Sequence, residues 1–311
     1  MGDSLELDLE NWMAQLPTNL QCVPVNKLAI PGSHDSGAFY LDKTSKIAPD
    51  ESKAITTLVR IFGQCAKNIV YKWSITQTLS LHQQLANGVR YFDLRVAYED
   101  ASKEYCFVHG LYGQAYQAIF SEMKQFLDKH PKEVVILDFN HLWGFTEKDC
   151  STFLEIIEKS FGDVLYGPGT KSTNCCLKDL WDAKKQIIAL YDNEEAIKKN
   201  PNFWPRSTIY SPWYDTANIT DLLNHLNGRF DTLKEDCYNV FQAILSPQTS
   251  TIVLHLANGS LKTTLAENCD KMVSSWLKKV HDEKKKGINI VICDFVDLLE
   301  FARKVVSLNY M

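Results

Sequence analysis

The chain has 311 residues, 45% hydrophobic and 23% charged, which is typical of a globular protein long enough for one large barrel or two ordinary domains. Its net charge of −5 argues against a nucleic-acid-binding protein, which usually carries a basic patch. The nine cysteines include no C-x-x-C pair, so we expect reduced thiols and neither a disulfide framework nor a zinc site. No signal peptide or membrane-spanning apolar run is recognisable, so the sequence predicts a cytoplasmic protein without a transmembrane segment.

Short apolar runs recur along the chain, and each of them predicts a β-strand. They cover residues 27–30, 89–96, 105–109, 133–139, 185–191, 207–211, 250–257 and 288–295. Most of them are apolar on both faces, as expected of strands in a parallel sheet that is covered on both sides.

Helical patterns separate many of these runs. Residues 115–130, 146–161 and 267–285 each carry an apolar stripe at helical spacing, and the segment "ENWMAQLP" begins the chain's first short helix. The alternation predicts an α/β fold, a distorted TIM (β/α)8-type barrel forming a single domain over residues 1–311. We expect residues 1–20 to form a helical segment that packs on this barrel.

One connection does not fit a regular barrel. Only the eight residues "AYEDASKE" separate the second and third runs, too few for a helical crossover between parallel strands. A missing helix or a local hairpin would accommodate this spacing, and a doubly wound open sheet is the alternative architecture.

Polar side chains collect where the predicted strands end, which is where barrels of this type carry their functional residues. They are His34 and Asp35 after the first run, Asp93 and Arg95 in the second, His109 in the third, Asp138 and Asn140 at the fourth, and Asp294 in the eighth. Each has a plainer interpretation, because a single histidine at a strand end is commonly structural and Asp93 could simply pair with Arg95. The convergence of two histidines, an arginine and several carboxylates favours a site.

Two histidines and an arginine suit the cleavage of a phosphodiester. One imidazole removes a proton from a nucleophilic hydroxyl and the other protonates the leaving oxygen, while the guanidinium stabilises charge on the phosphate. No two histidines have the i, i+4 spacing of a helical zinc motif, and neither Ser33 nor Ser36 has the glycine that a nucleophile elbow requires two residues earlier.

Five segments in order resemble phosphatidylinositol-specific phospholipase C, most closely the short eukaryotic X-domain-containing proteins without PH, EF-hand or C2 modules. They are "LAIPGSHDSGAF", "GVRYFDLRV", "FVHGLYG", "FLDKHPKEVVILDFNH" and "VICDFVD". The resemblance implies a distorted TIM barrel and a lipid-degrading hydrolase of signal transduction. It would cleave phosphatidylinositol or a related phospholipid to diacylglycerol and a cyclic inositol phosphate. The partner it implies is a membrane phospholipid, met by a cytoplasmic protein in transient peripheral contact with the bilayer; protein partners stay unassigned.

The resemblance also implies a role for each residue that matches a motif. His34 would be the general base with Asp294 as its carboxylate partner, and His109 the general acid supported by Asp35. Arg95, beside Asp93, would hold the phosphate. Asp138, Asn140 and Tyr214 are the candidate substrate-binding residues, Tyr214 as an aromatic wall from "SPWYDT".

No cofactor is expected. Calcium-dependent relatives resemble "E-L-D" where this chain has Asp93-Leu94-Arg95, and they carry Glu at the position of Phe139, so Arg95 and Phe139 both disfavour a calcium site. A weak calcium site at Asp35 and Asp138 is the alternative. In the bacterial enzymes the Phe139 position resembles a lysine that contacts the inositol ring, and their inositol-binding arginine is not evident near "IIALYDN". The head group could therefore be bound differently.

Two other functions stay open at this stage. A catalytically dormant barrel that binds phosphoinositide or a protein would explain the changed ring-contact residues, although it would not need both histidines. A glycerophosphodiesterase resembles a His-Arg pair after the first strand with a Glu-x-Asp metal motif after the second, and this chain has neither.

Overall fold

The computed structural model describes residues 7–169 and 171–311, so the first six residues of the predicted N-terminal segment lie outside the described part. The strands are β1 (Ile30–Ser33), β2 (Tyr91–Glu99), β3 (Glu104–His109), β4 (Leu111–Ala115), β5 (Val135–Trp143), β6 (Ile187–Tyr191), β7 (Phe203–Pro205), β8 (Ile209–Tyr210), β9 (Tyr238–Gln242) and β10 (Ile290–Cys293). The helices are α1 (Thr18–Gln21), α2 (Lys53–Phe62), α3 (Gln64–Ser74), α4 (Leu81–Ala86), α5 (Tyr116–Lys129), α6 (Glu147–Phe161), α7 (Leu177–Asp182), α8 (Glu194–Ile197), α9 (Ile219–Gly228), α10 (Thr249–Leu254), α11 (Glu267–Asp282) and α12 (Phe301–Ser307). A π-helical turn, Lys262–Ala266, leads into α11.

The sheet is a curled parallel sheet in the order β7-β6-β5-β2-β1-β10-β9-β8. Pairing of the first strand with the last excludes the doubly wound open sheet and confirms the distorted barrel in a single α/β domain. Within residues 7–169 and 171–311 no ladder joins β7 to β8, so the barrel is open at this seam.

The short connection between the second and third predicted strands is the turn of a β-hairpin. Strand β3 runs antiparallel to β2, with Val96 opposite Phe107, and β4 pairs with β3 in turn. The residues between β2 and β3 therefore form a turn, because antiparallel neighbours need no crossover helix.

The predicted strand at 250–257 is wrong. Most of this run forms the short helix α10, and none of the residues of that helix is fully buried. The strand that occupies the corresponding place in the sheet is β9, between β8 and β10. An apolar run predicts burial and does not by itself distinguish a strand from a helix.

Alternation along the strands divides the apolar core in two. Phe92 and Leu94 face outward into the layer between sheet and helices. Tyr91 faces inward, as do Asp93 and Arg95 by the strand's two-residue period. The barrel interior is thus apolar near the amino ends of the strands and polar near their carboxyl ends.

Residues 7–21 pack against the amino-terminal end of the barrel. Trp12 is fully buried, and its indole N–H donates to the carbonyl of Gly88 at 2.9 Å. Below it, the fully buried Arg90 and Glu133 form an ion pair at 2.8 Å. Glu133 also accepts the backbone N–H of Ala14, and Arg90 donates to the carbonyl of Glu10, so the pair joins this segment to the residues just before β2 and β5.

No helix among the described residues is both long enough and apolar enough to cross a membrane.

Candidate active site

A cavity of about 730 Å³ opens at the carboxyl ends of the strands. The strand register explains why distant residues meet there. Ser33 pairs with Phe92 and with Cys293, so His34, Asp93 and Asp294, each the next residue along its strand, lie at the same height. Asp138 is the register partner of Asp93 and adds a fourth strand to this level.

Gly32 allows β1 to lie between its neighbours. A Cβ at this position would come within 2.8 Å of both the Ile292 and Tyr91 side chains. Three residues on, Asp35 adopts a left-handed backbone with φ of 41°, and its N–H donates to Asp93 Oδ2 at 3.0 Å. Gln77 holds the turn by donating to the carbonyl of His34.

His34 is fixed at both ring nitrogens. Nδ1 lies 2.7 Å from Asp294 Oδ1, and Nε2 lies 2.9 Å from an N–H nitrogen of Arg95. Because a guanidinium only donates, this network assigns the proton to Nδ1 and the free lone pair to Nε2. Burial lowers the pKa of His34, but the charge and hydrogen bond of Asp294 outweigh it and raise the pKa above 6.5.

His109 lies across the cavity from His34. The two ring centroids are 6.3 Å apart, with the rings nearly perpendicular. Nδ1 of His109 donates to the carbonyl of Ser74 at 2.7 Å and lies 3.4 Å from Asp35 Oδ2. The proton on Nδ1 is therefore held by the protein, and Nε2 is the nitrogen available to a ligand.

Arg95 connects the two histidines, because it contacts His34 Nε2 directly and reaches His109 through Asp35. Its guanidinium lies 3.1 Å from Asp93 Oδ2 and 3.4 Å from Asp35 Oδ2. Burial would lower the pKa of Arg95, but these two carboxylates raise it. Burial alone would raise the pKa of Asp93, but the positive charges of Arg95 and His34 hold this pKa far below its usual range. Arg95 is thus a permanent cation. On the neighbouring strand β5, Asn140 donates a hydrogen bond to Asp93.

Asp138 is buried and paired with a residue that the sequence analysis missed. Its carboxylate accepts from the guanidinium of Arg206 and, at 2.6 Å, from the Tyr91 hydroxyl. Burial raises the pKa of Asp138, and Arg206 opposes this effect. Arg206 follows β7 directly and lies at the open seam, lining the cavity. The three-residue strand "FWP" gives too weak a signal to have located it.

The loop before α2 also contributes to the site, and the sequence analysis missed it. Asp50 accepts the N–H of Gly110 at 2.7 Å, immediately after His109. Glu51 lines the cavity. Its burial, and to a smaller extent the negative charge of Asp50, raise the pKa of the Glu51 carboxyl. Gly110 has φ of 69°, and a Cβ there would approach Ser74 Oγ to 2.5 Å.

Four residues named in the sequence analysis do not line the cavity. Asp35 and Asp138 are buried behind it and pair with Arg95 and Arg206. Tyr214 is not among the lining residues; its ring stacks on His225 at 4.6 Å, while its neighbour Trp213 lines the opening. Phe139 is fully buried against Phe120 on the outer face of β5, so no residue at this position can contact a bound ring. Of the two residues that the sequence analysis cited against calcium, Arg95 therefore remains.

The donor set does not fit calcium. A calcium ion takes six to eight oxygen ligands. The carboxylates of Asp93 and Asp35 instead contact the Arg95 guanidinium, and Asp138 is bound by Arg206. Among residues 7–169 and 171–311, no group of three or more histidine, cysteine, aspartate or glutamate side chains is arranged to hold a metal.

Comparison of the sequence with known proteins identifies the family of this chain. Residues 67–191 match the family "Phosphatidylinositol-specific phospholipase C, X domain". Human PI-PLC X domain-containing protein 3 is 34% identical over 309 residues, covering 98% of this chain and 95% of that protein. Mouse PI-PLC X domain-containing protein 2 is 37% identical over 302 residues, covering 96% of this chain and 87% of that protein. The chain belongs to the family of PI-PLC X domain-containing proteins.

Solved structures show the same fold. The phosphatidylinositol-specific phospholipase C of Listeria monocytogenes has a TM-score of 0.70 at 18% identity, covering 96% of this chain and 98% of that one. A mutant of the Staphylococcus aureus enzyme has a TM-score of 0.67 at 16% identity, covering 99% of this chain and all of the other. At this identity the likeness extends to the fold alone.

Proposed function

We propose that this protein is a metal-independent phospholipase C that cleaves phosphatidylinositol or a closely related phospholipid at a bilayer surface. The observation that carries the proposal is the pair of opposed histidines, each held through Nδ1, whose ring centroids are 6.3 Å apart. Arg95 contacts both His34 Nε2 and Asp35, the carboxylate beside His109. The resemblance of the chain to phospholipases C supports the same reaction class.

The reaction needs one proton removed and one supplied. His34 Nε2 takes the proton of the inositol 2-hydroxyl, and the oxygen attacks phosphorus to form a cyclic phosphodiester. The bond from phosphorus to the diacylglycerol oxygen breaks, and the protonated Nε2 of His109 gives its proton to that oxygen. Asp294 stabilises the imidazolium that forms at His34, and general acid–base catalysis of this kind contributes about 10²–10⁴-fold per group.

Arg95 serves the phosphate. In the ligand-free site its guanidinium donates to the lone pair of His34 Nε2, the atom that must accept the substrate proton. A phosphate oxygen is a stronger acceptor for guanidinium than imidazole is, so substrate would draw Arg95 away and leave Nε2 available. The cation then stabilises the negative charge that grows on the phosphate oxygens.

The inner part of the cavity suits a polyhydroxylated head group. Asn140 of β5 and Arg206, which follows β7 at the open seam, line the cavity, and the buried Asp138 holds the Arg206 guanidinium from behind. His141 stacks on Trp143 at 5.3 Å and forms an aromatic wall beside them. We assign the head group to this side of the cavity, with Arg206 as the cation that contacts it.

A catalytically dormant barrel that binds a phosphoinositide is the second candidate. It is favoured by the contact of Arg95 with His34 Nε2, which blocks the proposed base until a ligand moves the guanidinium.

The test uses mixed micelles that contain radiolabelled phosphatidylinositol, in EDTA and then in calcium. We expect release of diacylglycerol and cyclic inositol phosphate in both buffers, and loss of release in His34→Ala and in His109→Ala. Binding of the micelles without release in either buffer would instead support the dormant barrel.

A further inference from the structure

A second cavity lies at the opposite end of the barrel from the candidate active site. Its volume is about 580 Å³, which is within the range of small-molecule binding sites. Residues just before β1, β9 and β10 form its walls, and Leu308, Asn309 and Met311 line it as well. We call it the amino-end cavity. None of the residues proposed to act in catalysis or in head-group binding lines it.

The lining of the amino-end cavity is basic, although the whole chain has a net charge of −5. It includes four lysines and one acidic side chain, which are Lys27, Lys234, Lys285, Lys286 and Glu235. Within residues 7–169 and 171–311, none of the four ammonium groups lies within 4.0 Å of a carboxylate. The positive charge of this wall is therefore not neutralised by ion pairs, and it is complementary to an anion.

Aromatic rings hold two of these lysines. Lys234 Nζ lies 4.2 Å from the centroid of the Tyr210 ring, and Lys285 Nζ lies 3.7 Å from the centroid of the Phe230 ring. Contacts of this kind position an ammonium group without removing its charge. Both ammonium groups therefore stay available to a ligand.

A buried arginine adds positive charge behind this wall. Arg229 is 2% exposed, and its guanidinium carbon lies 4.5 Å from the centroid of the same Tyr210 ring that Lys234 contacts. Its N–H groups donate to the Thr232 hydroxyl and the Val240 carbonyl, which are both neutral. In the described part of the chain no carboxylate lies within 4.0 Å of Arg229. A buried charge without a counter-charge is costly, and an anion beside Lys234 would offset part of that cost.

A buried acceptor in the same wall lacks a partner. Asn26 lines the cavity and is 2% exposed. Its Nδ2 donates to the carbonyls of Glu235 at 2.9 Å and Cys237 at 3.4 Å, whereas its Oδ1 has no hydrogen-bond partner among the described residues. A hydroxyl group is a donor that this oxygen can accept from. A ligand with hydroxyl groups as well as negative charge therefore suits the cavity.

We propose that the amino-end cavity binds a phosphorylated polyol. Its phosphate groups accept hydrogen bonds from the ammonium groups of the four lysines, and one of its hydroxyl groups donates to Asn26. The site is separate from the catalytic cavity and needs no turnover, so the proposal goes beyond the proposed function and does not rest on it. The polyol is either free or the head group of a lipid, and the experiment distinguishes these two sources.

Isothermal titration calorimetry with the full chain tests the proposal. The probe is inositol trisphosphate, and inorganic tripolyphosphate is a comparably charged control without hydroxyl groups. The test variants are K234Q/K285Q and K27Q/K286Q, and K234R/K285R keeps the charge. The matched control is K278Q/K279Q, whose lysines pair with Asp282 and Glu283.

We expect wild type and K278Q/K279Q to bind the trisphosphate equally, and K234R/K285R to bind it within a few-fold. Each glutamine double variant at the cavity should bind it at least about tenfold more weakly. Tripolyphosphate should bind wild type more weakly than the trisphosphate does, and equal affinities would contradict the binding of a polyol. Thermal unfolding followed by circular dichroism checks that each variant is folded.

The catalytic cavity is the other place where the probe could bind. Arg95→Gln and Arg206→Gln should leave binding at the amino-end cavity unchanged. If both cavities take the probe, each set of variants should remove one of two binding events, which also supports the proposal. Binding that is lost in the arginine variants and unchanged in folded K234Q/K285Q would overturn it, as would the absence of binding to wild type in solution and on vesicles.

Sedimentation with vesicles distinguishes a free polyol from a lipid head group. The vesicles contain phosphatidylcholine with or without phosphatidylinositol bisphosphate. A free polyol predicts that K234Q/K285Q weakens binding in solution and has no effect on vesicles, whereas a head group predicts weaker binding to the vesicles that contain the bisphosphate. If K234Q/K285Q and K27Q/K286Q changed neither measurement, the proposal would be wrong.

Discussion

Asp294 Oδ1 lies 2.7 Å from Nδ1 of His34, although the two residues are 260 positions apart in the chain. The contact exists because β1 pairs with β10, which places the residues that follow these strands side by side. It fixes the tautomer of His34 and raises its pKa, so it determines both which nitrogen can act as a base and at which pH.

This contact predicts the pH dependence of activity. A base works in its neutral form, which is populated above its pKa, and the raised pKa of His34 places the acid limb of kcat/KM above pH 6.5. Asp294→Asn removes the charge that raises this pKa, so the acid limb should move to lower pH while the rate falls by about 10²–10⁴-fold. Profiles of wild type and Asp294→Asn against phosphatidylinositol micelles check this. An acid limb that stays in place in Asp294→Asn would show that His34 is not the titrating base.

Arg95 should be irreplaceable by lysine. A lysine ammonium keeps the charge but cannot contact Asp93, Asp35 and a phosphate together in one plane. We expect Arg95→Lys to lower kcat by about 10²–10³-fold, with wild type equally active in EDTA and in calcium. If calcium restored Arg95→Lys or were needed by wild type, the metal-independent site would be contradicted.

Arg206 should affect substrate binding more than turnover. We expect Arg206→Gln to raise KM by about tenfold and to leave kcat within a few-fold, because it removes a contact made equally in the ground and transition states. The matched control is Arg303→Gln. It removes a guanidinium of α12 that pairs with Glu300, the residue before that helix. The two variants are compared by steady-state kinetics on micelles, after thermal unfolding has shown that both are folded. A fall in kcat alone would place Arg206 at the reacting phosphate instead.

The sequence indicated the residues that meet around His34 more clearly than those at the open seam. Several of these candidates stand in eight-residue, mainly apolar runs such as "VRYFDLRV" and "INIVICDF", where the period of the strand and its end are both readable. Arg206 follows a three-residue strand, and its pairing with Asp138 depends on the open seam between β7 and β8. Nothing local to "FWPRS" encodes that seam.

The sequence analysis misjudged Phe139 and the run at 250–257, and each has its own physical cause. Phe139 adjoins Asp138 in sequence, but adjacent residues of a strand face opposite sides, so only one of them could line the cavity. The run at 250–257 is apolar without being buried, and composition alone predicts a core strand there.

The buried pair Arg90–Glu133 should govern stability without touching the reaction. Glu133→Gln leaves a fully buried guanidinium without its counter-charge and weakens the attachment of residues 7–21, which we propose to be an integral part of the single catalytic domain. We expect a loss of about 3–5 kcal/mol in the free energy of unfolding, measured with urea. The double variant R90M/E133L, which removes both charges, should lose less than Glu133→Gln. Equal losses in the two would show that packing, and not the unpaired charge, determines the effect.

The most direct test of the two-histidine mechanism changes the leaving group. Wild type, His34→Ala and His109→Ala are compared on phosphatidylinositol and on an inositol phosphodiester whose leaving group is p-nitrophenolate, which departs without protonation. If His109 is the general acid, His109→Ala should be strongly impaired on the lipid and recover most of its activity on the activated ester, whereas His34→Ala should be impaired on both. Equal impairment of His109→Ala on the two substrates would contradict the assignment of His109 as the general acid.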